Sequence, residues 1–178
     1  MSQSTPYDDE RLKYSRQGLA RLVLSDQAQG VATSAAGLVG TRQDADTGLG
    51  GRLSQARQLV ELAERTVAAA VIYELERGSS WEQIAAYLGT SADEACERFT
   101  PVLRQWSTAF REPYRLDETG RKRVPQLPTA AYDPAFACHQ LDTWAFIHHV
   151  GINDHQAVSA GLDMRGASDE PDPATEES

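Results

Sequence analysis

Apolar residues recur at three- and four-residue intervals through most of this chain, which predicts helices separated by glycine- and proline-marked turns. The longest such run is Arg52 to Arg77. There Leu53, Ala56, Leu59, Val60, Ala63, Val67, Ala70, Val71 and Leu75 share one broad face, and Gly78 closes the helix. Its middle, Val67 to Tyr73, is nearly all apolar, so burial on most sides is expected. Upstream, Asp8 to Leu24 reads as a first helix. Asp8, Asp9 and Glu10 suit its positive N-terminal end, and Leu12, Leu19, Leu22 and Val23 form its stripe. Gly18 is a weak point, since an interior glycine costs about 1 kcal/mol against alanine. Val31, Ala32, Ala35, Ala36, Leu38 and Val39 support a weak helix that Gly30, Gly37 and Gly40 oppose. Thr41 to Gly51 reads as a flexible connection. Residues 1–51 are thus expected to form an N-terminal helix followed by a flexible Gly/Ala-rich segment.

Ser80 to Phe99 predicts two short helices around a tight turn. Ser80 caps the first, with Gln83 three residues on to return the bond. Ile84, Ala85 and Leu88 make its apolar face, and Gly89 stops it, because glycine enters the left-handed conformation without a Cβ penalty. Ser91 and Glu94 form a second capping box, and Ala95 and Phe99 turn back toward the first helix. These residues resemble a helix-turn-helix of the kind found in sigma-factor region 4 and many small bacterial regulators. Ala85, Gly89 and Ala95 match its small-residue and turn positions over about twenty residues. The resemblance implies that the second helix enters the major groove, with Ser91, Ala92, Asp93, Cys96, Glu97 and Arg98 facing the bases. This sequence departs from the usual reading set there. Arg, Lys, Asn or Gln contact purines, whereas Asp and Glu accept only from cytosine and repel phosphates.

Downstream, Thr100-Pro101 predicts a kink or restart, because proline lacks the helical donor. Val102, Leu103, Trp106 and Phe110 then share a face that should pack on the long helix. With it, residues 52–112 make a helix-turn-helix core. After Pro113, Tyr114-Arg115-Leu116 and Arg121-Lys122-Arg123-Val124 flank the turn Asp117-Glu118-Thr119-Gly120. That pattern predicts a small β-ribbon similar to the wing of winged-helix proteins, within a ribbon and extended linker at 113–132. Arg115, Arg121, Lys122 and Arg123 are candidate phosphate contacts. The alternative is a solvated loop with an ordinary charge cluster. Asp133-Pro134 opens a C-terminal helix in the favoured cap-proline order, within a segment 133–162. Ala137, Leu141, Trp144, Ile147 and His148 share its face, with Gly151 as the stop. The stretch from Ala131 to Pro134 and that from Leu141 to Trp144 resemble the C-terminal part of an uncharacterised actinobacterial helix-turn-helix family. That resemblance implies architecture and no activity. Residues 163–178 are acidic and poor in apolar groups, so a disordered tail is expected.

Charge and chemistry narrow the reading. The chain has 178 residues and a formal net charge of -9, without the basic excess of a general nucleic-acid binder. Cys96 and Cys138 are far apart and lack zinc spacing, which suits a reducing cytoplasm. No secretory leader and no apolar run of membrane length is apparent, so no membrane partner is expected. Cys138, His139, Asp142, His148, His149 and His155 invite a metal. Their spacing matches no zinc site, so neither metal nor cofactor is expected. No constellation supports an enzyme. Trp81, Trp106 and Trp144 read as core anchors. The sequence therefore predicts a mainly α protein: a helical core with a helix-turn-helix, a wing-like β-ribbon and a C-terminal helix. Its expected role is that of a cytoplasmic DNA-binding transcriptional regulator, with a homodimer needed for specific binding. The competing expectation is a protein-interaction module on a degenerate helix-turn-helix, whose acidic second helix meets a basic partner.

Overall fold

The computed structural model describes residues 6–42, 44, 47–111, 127–151 and 154–165. In chain order these form α1 (Pro6–Leu12), α2 (Arg16–Val39), α3 (Gly51–Glu76), α4 (Trp81–Leu88), α5 (Ala92–Arg111), α6 (Thr129–Tyr132), α7 (Pro134–Ile147) and a 3-10 turn (Ser159–Gly161). No described residue belongs to a strand; Tyr14 and Met164 make one isolated antiparallel bridge. None of the described helices is long and apolar enough to cross a membrane. The protein is mainly α, as the hydrophobic periodicity predicts.

The predicted first helix is broken. α1 ends at Leu12, and Ser15 starts α2 by accepting a 2.9 Å bond from the Gly18 amide. The break is held by the C-terminal segment. Ser15 donates its amide to the Asp163 carbonyl at 3.1 Å, and Arg165 donates its amide to that of Lys13 at 3.1 Å. Residues 163–165 are therefore ordered rather than part of a loose tail, while 166–178 lie outside the described residues. Gly18 is needed at this crossing: a Cβ there would sit 2.2 Å from the Asp163 carbonyl oxygen.

α2 runs unbroken through Gly30 and Gly37, where only a weak helix was expected. Packing outweighs the glycine penalty, as is usual when a helix lies along a partner. α2 and α3 form a long hairpin. At its tip Arg52 donates to the Gly37 and Gly40 carbonyls at 3.2 and 3.0 Å and pairs with Asp44. A cation there satisfies carbonyls at the negative end of α2.

The main core joins Leu19, Leu22 and Val23 of α2 to Ala69 and Ile72 of α3, Trp106 of α5, Ala130 and Ala131 of α6, and Leu141 of α7. Burying each large side chain contributes about 1.5–3 kcal/mol. A second cluster, Val71, Ile84 and Phe99, seats α4 and α5 on α3. α5 passes through Pro101 without a restart. Pro101 is exposed, so water reaches that side of the helix. The four residues 129–132 form a helical turn, not the extended linker expected. Pro128 precedes it where no donor is required, and the turn buries both Ala130 and Ala131. The proposed ribbon strands at 114–116 and 121–124 lie outside the described residues, as do Arg115, Arg121, Lys122 and Arg123.

At the base of the hairpin Glu76 collects three elements. Arg16 donates to it from Nε at 3.1 Å and from the terminal nitrogen at 2.6 Å, and Trp106 Nε1 donates at 2.8 Å. The Arg16 guanidinium also lies 4.7 Å from the Phe110 ring centre.

Two stability measurements check this framework. Glu76→Ala strands the Trp106 donor and the Arg16 charge, so chemical denaturation should show a loss of about 2–3 kcal/mol. Gly18→Ala should gain helix propensity yet still lose about 1–3 kcal/mol, because backbone cannot yield as a side chain does. A neutral or stabilising Gly18→Ala would mean that the α2–Asp163 crossing is not formed.

Candidate nucleic-acid interface

Each end of the α4–α5 connection is held by side chains close in sequence. Gln83 donates its amide to Ser80 Oγ at 3.3 Å, and Ser80 donates its own to Gln83 Oε1 at 2.8 Å. α4 then ends at Gly89, whose φ of 67° is left-handed, and the Thr90 amide reaches back to the Ala85 carbonyl at 3.2 Å. The second box closes likewise: Glu94 donates its amide to Ser91 Oγ at 3.2 Å, and Ser91 donates its amide to Glu94 Oε2 at 3.0 Å. Ile84, Ala85, Ala95 and Phe99 are all buried where the two helices meet.

The Glu94 carboxylate is the electrostatic focus of the turn. It accepts from Thr90 Oγ1 at 2.5 Å and from the Ser91 amide and hydroxyl. These bonds, the Thr90 hydroxyl first, hold its pKa down to about 2. Glu82 is also held below its ordinary value, chiefly by the Ser80 hydroxyl. The turn therefore carries fixed negative charge.

The sequence-predicted reading residues do not all reach the surface alike. Ser91, Asp93, Glu97 and Arg98 are exposed, while Ala92 and Cys96 are half-buried. Ser91 is already engaged in the cap. Thr100 Oγ1 donates to the Cys96 carbonyl at 2.6 Å and lies 3.7 Å from its sulfur. The Arg98 guanidinium lies 5.0 Å from the Phe99 ring centre, on its own helix. Asp93 and Glu97, one turn apart, leave the outer face of α5 acidic. The four basic residues of the expected wing, Arg115, Arg121, Lys122 and Arg123, lie outside the described residues.

Tyr87 was not singled out from the sequence. It stands 94% exposed on α4, one residue before the buried stripe ends. Its position was legible, because it falls off the face shared by Ile84, Ala85 and Leu88. Arg104 and Gln105, also exposed, extend the outer face of α5.

The residues considered for a metal are dispersed. Among the described residues no group of three His, Cys, Asp or Glu side chains could hold one. Cys138 is buried with its sulfur 3.9 Å from the Tyr14 hydroxyl, and burial raises both pKa values, that of Tyr14 to about 12. Asp142 accepts from the Val158 and Ser159 amides at 2.8 and 3.1 Å, which fastens the C-terminal turns to α7. His148 stacks on Trp144 and His155 on Phe146. α7 ends at Ile147, before the stop expected at Gly151; His149 (φ 56°) and Gly151 (φ 84°) both take left-handed conformations just beyond it. Between α2 and α7 an open groove is lined by Asp26, Gln29, Phe136, His139, Trp144 and Ile147, and burial raises the Asp26 carboxyl.

The Glu94 bonds set a pH dependence. Its folded pKa is depressed from 4.5 to about 2, so its contribution is complete above pH 4.5 and is lost as pH falls toward 2. Melting curves of the protein and of Glu94→Gln should differ most above pH 4.5 and converge as pH approaches 2. A constant difference across that window would show that the carboxylate bonds are not made.

Comparison of the chain with known protein families, with curated proteins and with solved structures gives no match.

Proposed function

We propose that α4 and α5 are a helix-turn-helix and that the protein is a DNA-binding regulator. The observation that carries this reading is the geometry of the turn. Two capped helices meet over Ala85 and Ala95, both fully buried, and Gly89 reverses the chain in the left-handed conformation. This leaves the first turns of α5 exposed, as insertion into a major groove requires. In this reading Asp93, Glu97 and Arg98 face the bases with Ser91, while Ala92 and Cys96 contribute the apolar margin. Arg115, Arg121, Lys122 and Arg123 contact phosphates. The acidic side chains limit readout to cytosine amino groups and weaken the non-specific, charge-driven part of binding.

A second reading has its own support. Tyr87 is an exposed aromatic on the same helical pair as Asp93 and Glu97, and aromatic anchors with a charged surround suit protein contacts. Here the pair docks a basic protein and holds no DNA.

One substitution separates the two. The full chain is titrated against mixed genomic fragments at low and moderate salt, alongside Glu97→Arg. Under the DNA reading fragments are retained at low salt, and Glu97→Arg tightens binding by about fivefold, or ~1 kcal/mol. No retained fragment at either salt overturns it. Recovery of a single protein partner that Glu97→Arg loses favours the second reading.

A further inference from the structure

The single face expected of α3 divides in two. One stripe, through Leu62, Ala69 and Ile72, turns toward α2: Leu62 lies 3.8 Å from where a Gly30 Cβ would stand, and Ala69 and Ile72 join the main core. The other is Leu53, Ala56, Val60, Ala63, Val67 and Ala70. It advances by three and four residues in alternation, the spacing of a coiled-coil seam. Leu53 is 70%, Val60 59% and Val67 37% exposed; Ala63 is exposed, and Ala56 and Ala70 are half-buried. Scattered exposed apolar residues need no account, but a continuous seam along one helix marks an interaction surface.

We propose that this seam joins two copies of the chain, α3 against α3 in antiparallel order. Charge complementarity selects both the occupant and the direction. Arg57 and Glu64 flank the seam on the side away from α2, and both are exposed. In an antiparallel pair centred on Val60, Leu53 meets Val67 of the second copy. Arg57 then stands within one residue of the level of Glu64 of the second copy, inside the reach of both side chains, and the two-fold axis repeats this contact. A parallel pair would instead set Arg57 against Arg52 and Glu64 against Leu59, one repulsive and one unmatched. Arg57 pairs with Glu61 at 3.4 Å on an open helix surface, a contact weak enough to exchange. The apolar seam supplies the strength of the contact, and the charged flank its direction.

The arrangement also bears on the DNA reading, and in this clause it rests on that reading. α4 and α5 sit on α3 through Ala68, Val71 and Leu75, which at 3.6 residues per turn lie roughly 20–80° round from Val60. A two-fold axis perpendicular to both rods keeps the two α4–α5 pairs on one side of the dimer. Val71 lies eleven residues beyond Val60, so the pairs stand roughly 33 Å apart along the rods at 1.5 Å per residue. Half-sites one turn of DNA apart are spaced by about 34 Å.

The test is the mass of the full chain by light scattering or sedimentation across micromolar concentrations, with DNA titration kept as a separate arm. The protein should run as a dimer. Val60→Glu, at an exposed position, should run as a monomer with unchanged helical circular dichroism. Arg57→Glu and Glu64→Arg should each weaken association about tenfold, and the double exchange should restore it. A monomer at every concentration, or a dimer indifferent to Val60→Glu, overturns the proposal. A double exchange that fails to restore association overturns the antiparallel order. A dimer that holds no DNA leaves this proposal standing and removes the DNA reading, whereas a monomer that holds DNA does the reverse.

Discussion

Glu76 is where the fold is tied. It sits at the end of α3, where the helix dipole disfavours a carboxylate, and two partly shielded groups compensate it: the Arg16 guanidinium, through Nε and a terminal nitrogen, and the Trp106 indole. The arrangement brings the first residue of α2, the last of α3 and the C-terminal half of α5 to one point. Trp106 is buried and meets Phe110 edge-on with ring centres 4.8 Å apart, so the polar knot is continuous with the apolar core. α5 is tied at Trp106, and its N-terminal turns and α4 are seated on α3 through Val71, Ile84 and Phe99.

α3 divides its surface three ways. One side packs on α2, another seats α4 and α5 through Val71, and the third carries the exposed seam. A helix apolar over so wide an arc has more apolar surface than one neighbouring helix covers. The hairpin tip extends away from the main core, and among the described residues only α2 covers α3 there. This leaves Leu53 and Val60 in solvent although their sequence pattern is that of core residues.

The α4–α5 pair was legible because every signal in it is local. Ser80 with Gln83, Gly89, and Ser91 with Glu94 act within four residues of each other, and each does in the structure what its type and spacing imply. The candidate contact surface was legible in composition but not in exposure. Ala92 and Cys96 lean inward, and Tyr87, unremarked in the sequence, is the most exposed aromatic on the pair. The start of the chain was misread because its decisive partner lies at the other end. Nothing between Asp8 and Leu24 signals that Asp163 and Arg165 will bind the backbone at Ser15 and Lys13.

Helical periodicity, caps and the turn glycine were determined by the sequence itself, since they rest on contacts a few residues long. They set the mainly α class, the extent of α3 and the reversal at Gly89. Tertiary structure decided the rest: the break before Ser15, the persistence of α2 through its glycines, the helical turn at 129–132 and the Glu76 knot. Each of these depends on groups tens of residues apart or more. Only packing, which outweighs local preference by burying apolar surface and satisfying buried donors, can bring such groups together.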